Sequence, residues 1–180
     1  MKAPVLEYTL DHELRLLRYH TEGDQTYLHS LLGKPVLSVV KNVTLHTLLE
    51  VLFQKVVRTG RKVEASYRCD TPTMKRYCTM VVHRVGSGSD RGVQVNNYMD
   101  QIENRPYQPL LDWKLPAGDR FVSLCSWCKR MRDSSGAWVE IDDAVRDLRL
   151  MQEGPIPQIT HGMCERCYDY LMGKIRELEH

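Results

Sequence analysis

The chain of 180 residues lacks most of the features that would announce an activity. No apolar run approaches 18 residues, which excludes a transmembrane helix. The opening stretch, Met1 to Leu6, soon meets Glu7, Asp11, His12 and Glu13, so a signal-peptide core is missing. There is no glycine-rich phosphate loop, no nucleophile elbow and no His-Glu-x-x-His pair, and no residue order that supports a catalytic triad. Glycine and proline are sparse, 11 and 8, which excludes a disordered or fibrous chain. An excess of one charge is missing as well. The 25 Lys and Arg stand against 23 Asp and Glu, a net charge of +2, without the broad basic surplus of a nucleic-acid binder. These absences predict a cytoplasmic, non-enzymatic protein with no membrane contact, built as one large domain or two small ones.

What is present is cysteine. Six occur, and four of them fall in two matched pairs, Cys125-Ser126-Trp127-Cys128 and Cys164-Glu165-Arg166-Cys167. In a reducing compartment such pairs read as metal or redox sites before disulfides. A two-residue spacer lets one tight turn aim both sulfurs at one ion, and two such turns complete a tetrahedral zinc site. Four protein ligands leave no open position, so the zinc is expected to be structural. Lys129, Arg130, Arg132 and Arg166 lie beside the ligands and can offset their negative charge. His161 precedes Cys164 by three residues. It is expected either to support a thiolate by hydrogen bonding or to replace one cysteine as a ligand. Cys69 and Cys78 are expected to be packing residues, although they could face each other across a hairpin.

The pattern along the chain predicts an α+β fold. Val5 to Leu10 and Leu14 to Tyr19 read as a hairpin, with a short helix around Tyr27 to Leu32. Leu45, Leu48, Leu49, Leu52, Phe53 and Val56 make one apolar helical stripe, which Asn42 or Thr44 can cap and Gly60 can end. Lys62 to Arg68, Arg76 to Val85 and Gly92 to Met99 read as strands, and Asp70-Thr71-Pro72 as a turn. In the first strand Val63, Ala65 and Tyr67 alternate with Lys62, Glu64, Ser66 and Arg68. In the last, Val93, Val95 and Asn97 share a face. Few long crossovers favour an antiparallel sheet with helices on one face. Asn104 to Pro109 marks a boundary and Pro116-Ala117-Gly118 a further break. The charge changes there too. Residues 1–110 carry 15 Lys and Arg against 11 Asp and Glu, and residues 111–180 carry 10 against 12.

Between the cysteine pairs, Gly136-Ala137-Trp138 can end a short hairpin. Ile141, Ala144, Val145 and Leu148 mark a helix that Gly154-Pro155-Ile156-Pro157 breaks. The second pair opens another helix, with Cys167, Tyr170, Leu171 and Ile175 on one side. A knuckle for the first pair and a helix start for the second resemble a treble-clef zinc site. Leu178-Glu179-His180 reads as the remnant of a purification tag, without a functional role.

Two resemblances follow from these residues. Residues 5–103 resemble a PAS domain: two strands, short helices, a longer helix at 43–59 and a three-stranded antiparallel meander. The segment Tyr67 to Pro72 with Arg76 resembles a PAS-like group in uncharacterised bacterial proteins. Cys125-Ser126-Trp127-Cys128-Lys129, Trp138-Val139-Glu140 and Thr160-His161-Gly162-Met163-Cys164 with Cys167 resemble a cysteine-rich extension that follows PAS or receiver modules in bacterial signalling proteins. The resemblance implies a PAS-like sensory domain at 1–103, a linker at 104–119, a four-cysteine zinc segment at 120–177 and the tag remnant at 178–180. It implies a five-stranded antiparallel sheet, a homodimer, and a signalling role through a small ligand or a partner signalling protein. The ligand itself is not readable, because fold does not set function. Two other readings of the same cysteines are a thiol-based redox sensor or oxidoreductase, and a zinc-dependent nucleic-acid binder built on Lys129, Arg130 and Arg132. The net negative balance of residues 111–180 argues against the latter.

Overall fold

The computed structural model describes residues 3–23, 25–150 and 155–179. Gly154 of the expected helix break and His180 of the expected tag remnant lie outside them. The fold is α+β, and its larger sheet is the expected five-stranded antiparallel one. The strands are β1 (Leu6–Leu10), β2 (Leu16–Thr21), β3 (Val63–Arg68), β4 (Met74–Val85) and β5 (Gly92–Asn104), in the order β2-β1-β5-β4-β3. Helix α1 (Thr26–His29) and helix α2 (Val43–Thr59) lie between β2 and β3 in the chain. By their mutual contacts the residues form two units. One comprises 1–66, 78–100 and 169–180, and the other 67–77 and 101–168.

The first unit owes its core to α2 and the middle of the sheet. Asn42 caps α2 by accepting the Leu45 amide at 2.7 Å, and Gly60 ends it in the left-handed region at φ 74°. Leu52, Phe53 and Val56 on α2, and Val82, Val93 and Val95 on the sheet, are all but fully enclosed. Each contributes about 1.5–3 kcal/mol by leaving water. Asn97 shares the buried face of Val93 and Val95, as the alternation predicts. The β1–β2 turn is built on Asp11, whose carboxylate accepts the amides of Glu13 and Arg15 at 2.9 and 2.8 Å. Leu178 is buried, and the Glu179 carboxylate pairs with the Lys55 ammonium.

The second unit holds a sheet of which sequence patterning predicts only the short hairpin that Gly136-Ala137-Trp138 ends. It consists of β6 (Ala117–Cys125), β7 (Met131–Arg132), β8 (Trp138–Val139) and β9 (Ile156–Gly162), ordered β8-β7-β6-β9. Helix α3 (Ile141–Asp147) precedes β9, and α4 (Glu165–Glu177) follows it, with its residues from Asp169 onward counted in the first unit. Ala117 and Gly118 therefore start a strand instead of breaking the chain. The signal is faint because β6 is buried only from Val122 onward. β9 is hidden by its first residues, Ile156-Pro157, which resemble a helix breaker. Proline is tolerated at the beginning of an edge strand, where no ladder donor is needed. The core joins Val122, Leu124, Met131, Ile141 and Ala144.

Candidate metal centre

The pairing of β6 with β9 is parallel, and its register sets the site. Val122 lies opposite Ile159, Leu124 opposite His161 and Cys125 opposite Gly162. Cys125 is the last residue of β6, and Gly162 ends β9 two residues before Cys164. Two cysteines 39 residues apart in the chain thus arrive side by side, and the Cys164 amide donates to the Cys125 sulfur at 3.4 Å. The Ser126 amide bonds the Gly162 carbonyl at 2.9 Å and holds the two strand ends together. A side chain at 162 would press on the tip of Trp138 at 3.1 Å, so glycine allows the approach.

The first pair occupies a turn after β6. The Cys125 amide bonds the Arg130 carbonyl at 2.7 Å, and the Lys129 amide bonds the Cys125 carbonyl at 3.0 Å. Lys129 takes the left-handed conformation at φ 61°, which costs an L-residue about 1–2 kcal/mol. Its ammonium folds back to the Ser126 carbonyl at 2.8 Å, offsetting part of that cost. The second pair flanks the start of α4. The Cys164 carbonyl accepts the amides of Cys167 and Tyr168, both at 3.0 Å.

Together these elements bring the sulfurs of Cys125, Cys128, Cys164 and Cys167 within 4.8 Å of one another, a group that could hold a metal ion. The Cys128 and Cys164 sulfurs are 3.8 Å apart. Cys125, Cys164 and Cys167 are buried and Cys128 is half-buried. Crowding separates their acidities. Hydrogen bonds from the Cys128 and Cys167 thiols pull the Cys125 thiol far below its ordinary value, while its bond to Cys125 pushes Cys128 up to about 12. Hydrogen bonding to Cys125 and Cys128 likewise pushes Cys167 up. Mutual hydrogen bonding thus favours the ionised form of Cys125 and the protonated forms of Cys128 and Cys167. His161 stands on β9, exposed, and lies outside this four-sulfur group. Partial desolvation of the ring and then the Lys129 ammonium hold its imidazole below its ordinary pKa. Burial lowers Lys129 as well, against the pull of Cys69, Asp70, Cys125 and Cys128.

The other expected residues part company. Cys78 is buried, but Cys69 is exposed and corrects the expectation of packing. The Cys69 amide donates to the Arg76 carbonyl at 3.0 Å, so Arg76 and not Cys78 stands opposite it. The Arg76 guanidinium bonds the Cys69 sulfur at 3.3 Å. Arg132 covers the Trp138 ring at 5.0 Å, and Arg130 faces Glu140 at 3.6 Å.

A feature invisible to patterning lies in the same unit. The alternation places Arg68 on the polar face of its strand, yet it is buried. Its guanidinium bonds Asp70, with Nε at 3.1 Å, and Glu140 at 2.7 Å. Arg105 bonds Asp70 at 3.2 Å and also bonds Asp142. Lys75 closes the circuit, 3.5 Å from Asp142 and 3.7 Å from Glu140. Arg68, Asp70, Arg105, Asp142, Lys75 and Glu140 thus form a closed ring of alternating charge. Asp70 is fully enclosed and also accepts the Arg76 amide at 3.3 Å. The Glu140-Ile141-Asp142 start of α3 supplies two ring members, and no local pattern in the sequence marks either of them as a partner of a buried arginine.

No protein-family model matches the chain, and neither a curated protein nor a solved structure is significantly similar to it.

Proposed function

We propose that Cys125, Cys128, Cys164 and Cys167 bind one zinc ion in a closed, treble-clef-like site, and that this metal stabilises the second unit of a non-enzymatic PAS-like sensory module. The observation that carries the metal assignment is the convergence of four thiols from two separate turns. A tetrahedron of zinc–sulfur bonds of about 2.3 Å has edges of about 3.8 Å. The Cys128–Cys164 separation of 3.8 Å matches that edge. All four ligands come from the protein, so no position is open for substrate, and the role is structural. Zinc binding supplies folding free energy that a core as small as that of residues 101–168 lacks. Thiolates and zinc together carry a charge of about −2, which the nearby Lys129 ammonium moderates.

The sensory half of the reading rests on the order of elements. Two strands, helical segments, a long helix and a three-stranded meander follow in the chain as the PAS resemblance implies. The module acts in the cytoplasm of a bacterium, as a homodimer, through a small ligand or a partner signalling protein. Elemental analysis and native mass spectrometry of protein purified without chelator test both halves. One zinc per chain with four protected cysteines is expected. A folded, metal-free protein that refuses zinc overturns the metal assignment. Fast disulfide formation with zinc release under mild oxidant turns the site into a thiol-based redox sensor. A monomer with no co-purified ligand and no captured partner counts against the sensory role. A salt-dependent shift of nucleic acid moves the reading to a zinc-dependent nucleic-acid binder.

A further inference from the structure

Residues 67–77 are the tip of the β3–β4 hairpin, yet by their contacts they belong with residues 101–168 and not with the chain on either side of them. The link runs to the middle of the first cysteine pair. The Arg68 amide donates to the Trp127 carbonyl at 3.0 Å, and the Tyr67 and Trp127 rings lie 5.6 Å apart. Trp127 is buried between Cys125 and Cys128. On the far side of the tip, the Arg105 amide bonds the Thr73 carbonyl at 3.0 Å and the Gln108 amide bonds the Pro72 carbonyl at 2.7 Å. The ion ring passes through this tip at Arg68, Asp70 and Lys75.

We propose that metal occupancy of the four-cysteine site governs whether the 67–77 tip is held or released, with Trp127 as the connecting residue. The proposal rests on the metal assignment above. A bound ion fixes the Cys125–Cys128 turn through two of its sulfurs, and so fixes the Trp127 carbonyl and ring. Without the ion the turn keeps its backbone bonds, the Lys129 bond to Ser126 and the Cys164 amide on the Cys125 sulfur, but it loses both metal–sulfur bonds, and Arg68 loses a rigid partner. The ring makes the response steep. A buried charge that leaves its partners uncompensated is strongly destabilising, so the tip is either seated with every charge matched or withdrawn into water. Coupling of this kind is reciprocal: whatever metal does for the tip, a seated tip does for metal.

Amide hydrogen exchange on the full zinc-loaded chain, before and after a chelator removes the metal, tests this. Metal content is measured in parallel. The amides of Arg68, Arg105 and Gln108, whose bonds tie the tip to the rest of its unit, are expected to exchange about tenfold faster or more without metal, while Val93 and Val95 stay protected. Unchanged exchange at Arg68, Arg105 and Gln108 in a chain that has lost its zinc overturns the relay and leaves the metal assignment standing. Simultaneous loss of protection at Val93 and Val95 also overturns it, because the whole chain has then unfolded. A chain that never binds zinc overturns the metal assignment first. The reverse arm uses Tyr67→Ala, which keeps all four cysteines. Competition with a chromophoric chelator should show zinc affinity reduced about 5- to 150-fold. Parental affinity in this variant overturns the relay.

Discussion

The ion ring is the sharpest place to test the physical account, and Asp70→Asn is the sharpest perturbation. The Asp70 side chain is wholly enclosed, and it accepts from Arg68, Arg105 and the Arg76 amide. Asparagine keeps the shape and removes the charge. It also turns an amide NH2 toward guanidiniums that need an acceptor. Arg68 and Arg105, with side chains only 8% and 1% exposed, would keep charges that Asp70 no longer balances. Removing one partner from a buried pair costs about 3–5 kcal/mol, because the survivor cannot be resolvated. For a chain of this size each kcal/mol moves the melting temperature by about 2–4 °C, so the expected fall is about 6–20 °C. Calorimetry measures it. Glu13→Gln is the reference, since it removes an exposed partner of Arg15 whose pair is worth about 1 kcal/mol or less. A fall in Asp70→Asn no larger than that of Glu13→Gln refutes the claim that the ring bears buried charge.

Three further outcomes follow from the same geometry. Asn42→Ala removes the side-chain cap of α2 and should cost about 1 kcal/mol by chemical denaturation; a neutral result would mean that the helix start is held by packing alone. Gly92→Ala places a methyl 2.0 Å from the Leu10 carbonyl oxygen, so backbone must move; a loss of about 3 kcal/mol or more is expected, and a parental melting curve contradicts the β1–β5 spacing. Burial pushes the Glu140 and Asp142 carboxyls up, but the facing guanidiniums of Arg68 and Arg105, helped by Lys75, pull both below their ordinary values. Their stabilising contribution is therefore complete above the ordinary carboxylate range and is lost as pH falls through the depressed values, below about pH 4. The melting temperature of Glu140→Gln should depend less on acid than that of the parent, and equal slopes would exclude Glu140 from the acid response.

Local signals in the sequence make part of this architecture legible. The stripe from Leu45 to Val56 with Asn42 and Gly60 at its ends specifies α2, because capping and periodicity act within a few residues. The alternation of Val93, Val95 and Asn97 specifies the buried face of β5. The matched spacing of Cys125-x-x-Cys128 and Cys164-x-x-Cys167 singles out four residues that do converge, because a two-residue spacer is a local geometric device. β6 and β9 are not legible in this way. Their partners lie across a crossover of some thirty residues, and a strand that is half exposed and begins with Ala-Gly or Ile-Pro carries little periodicity of its own. Arg68 is misplaced by patterning for a related reason: strand alternation counts sides, and it cannot see that Asp70, Arg105 and Glu140 enclose one end of the strand.

The residue pattern is thus enough to specify the α+β class, the long capped helix, the strand segments of the larger sheet and the identity of the four clustered thiols, all of which depend on spacing within single segments. Tertiary pairing settles the rest. The parallel register of Cys125 with Gly162 joins the two cysteine turns, and the return of 67–77 onto the Trp127 turn closes the ion ring. Each is a contact between groups far apart in the chain, set by the packing of whole strands and by the need of buried charges for partners.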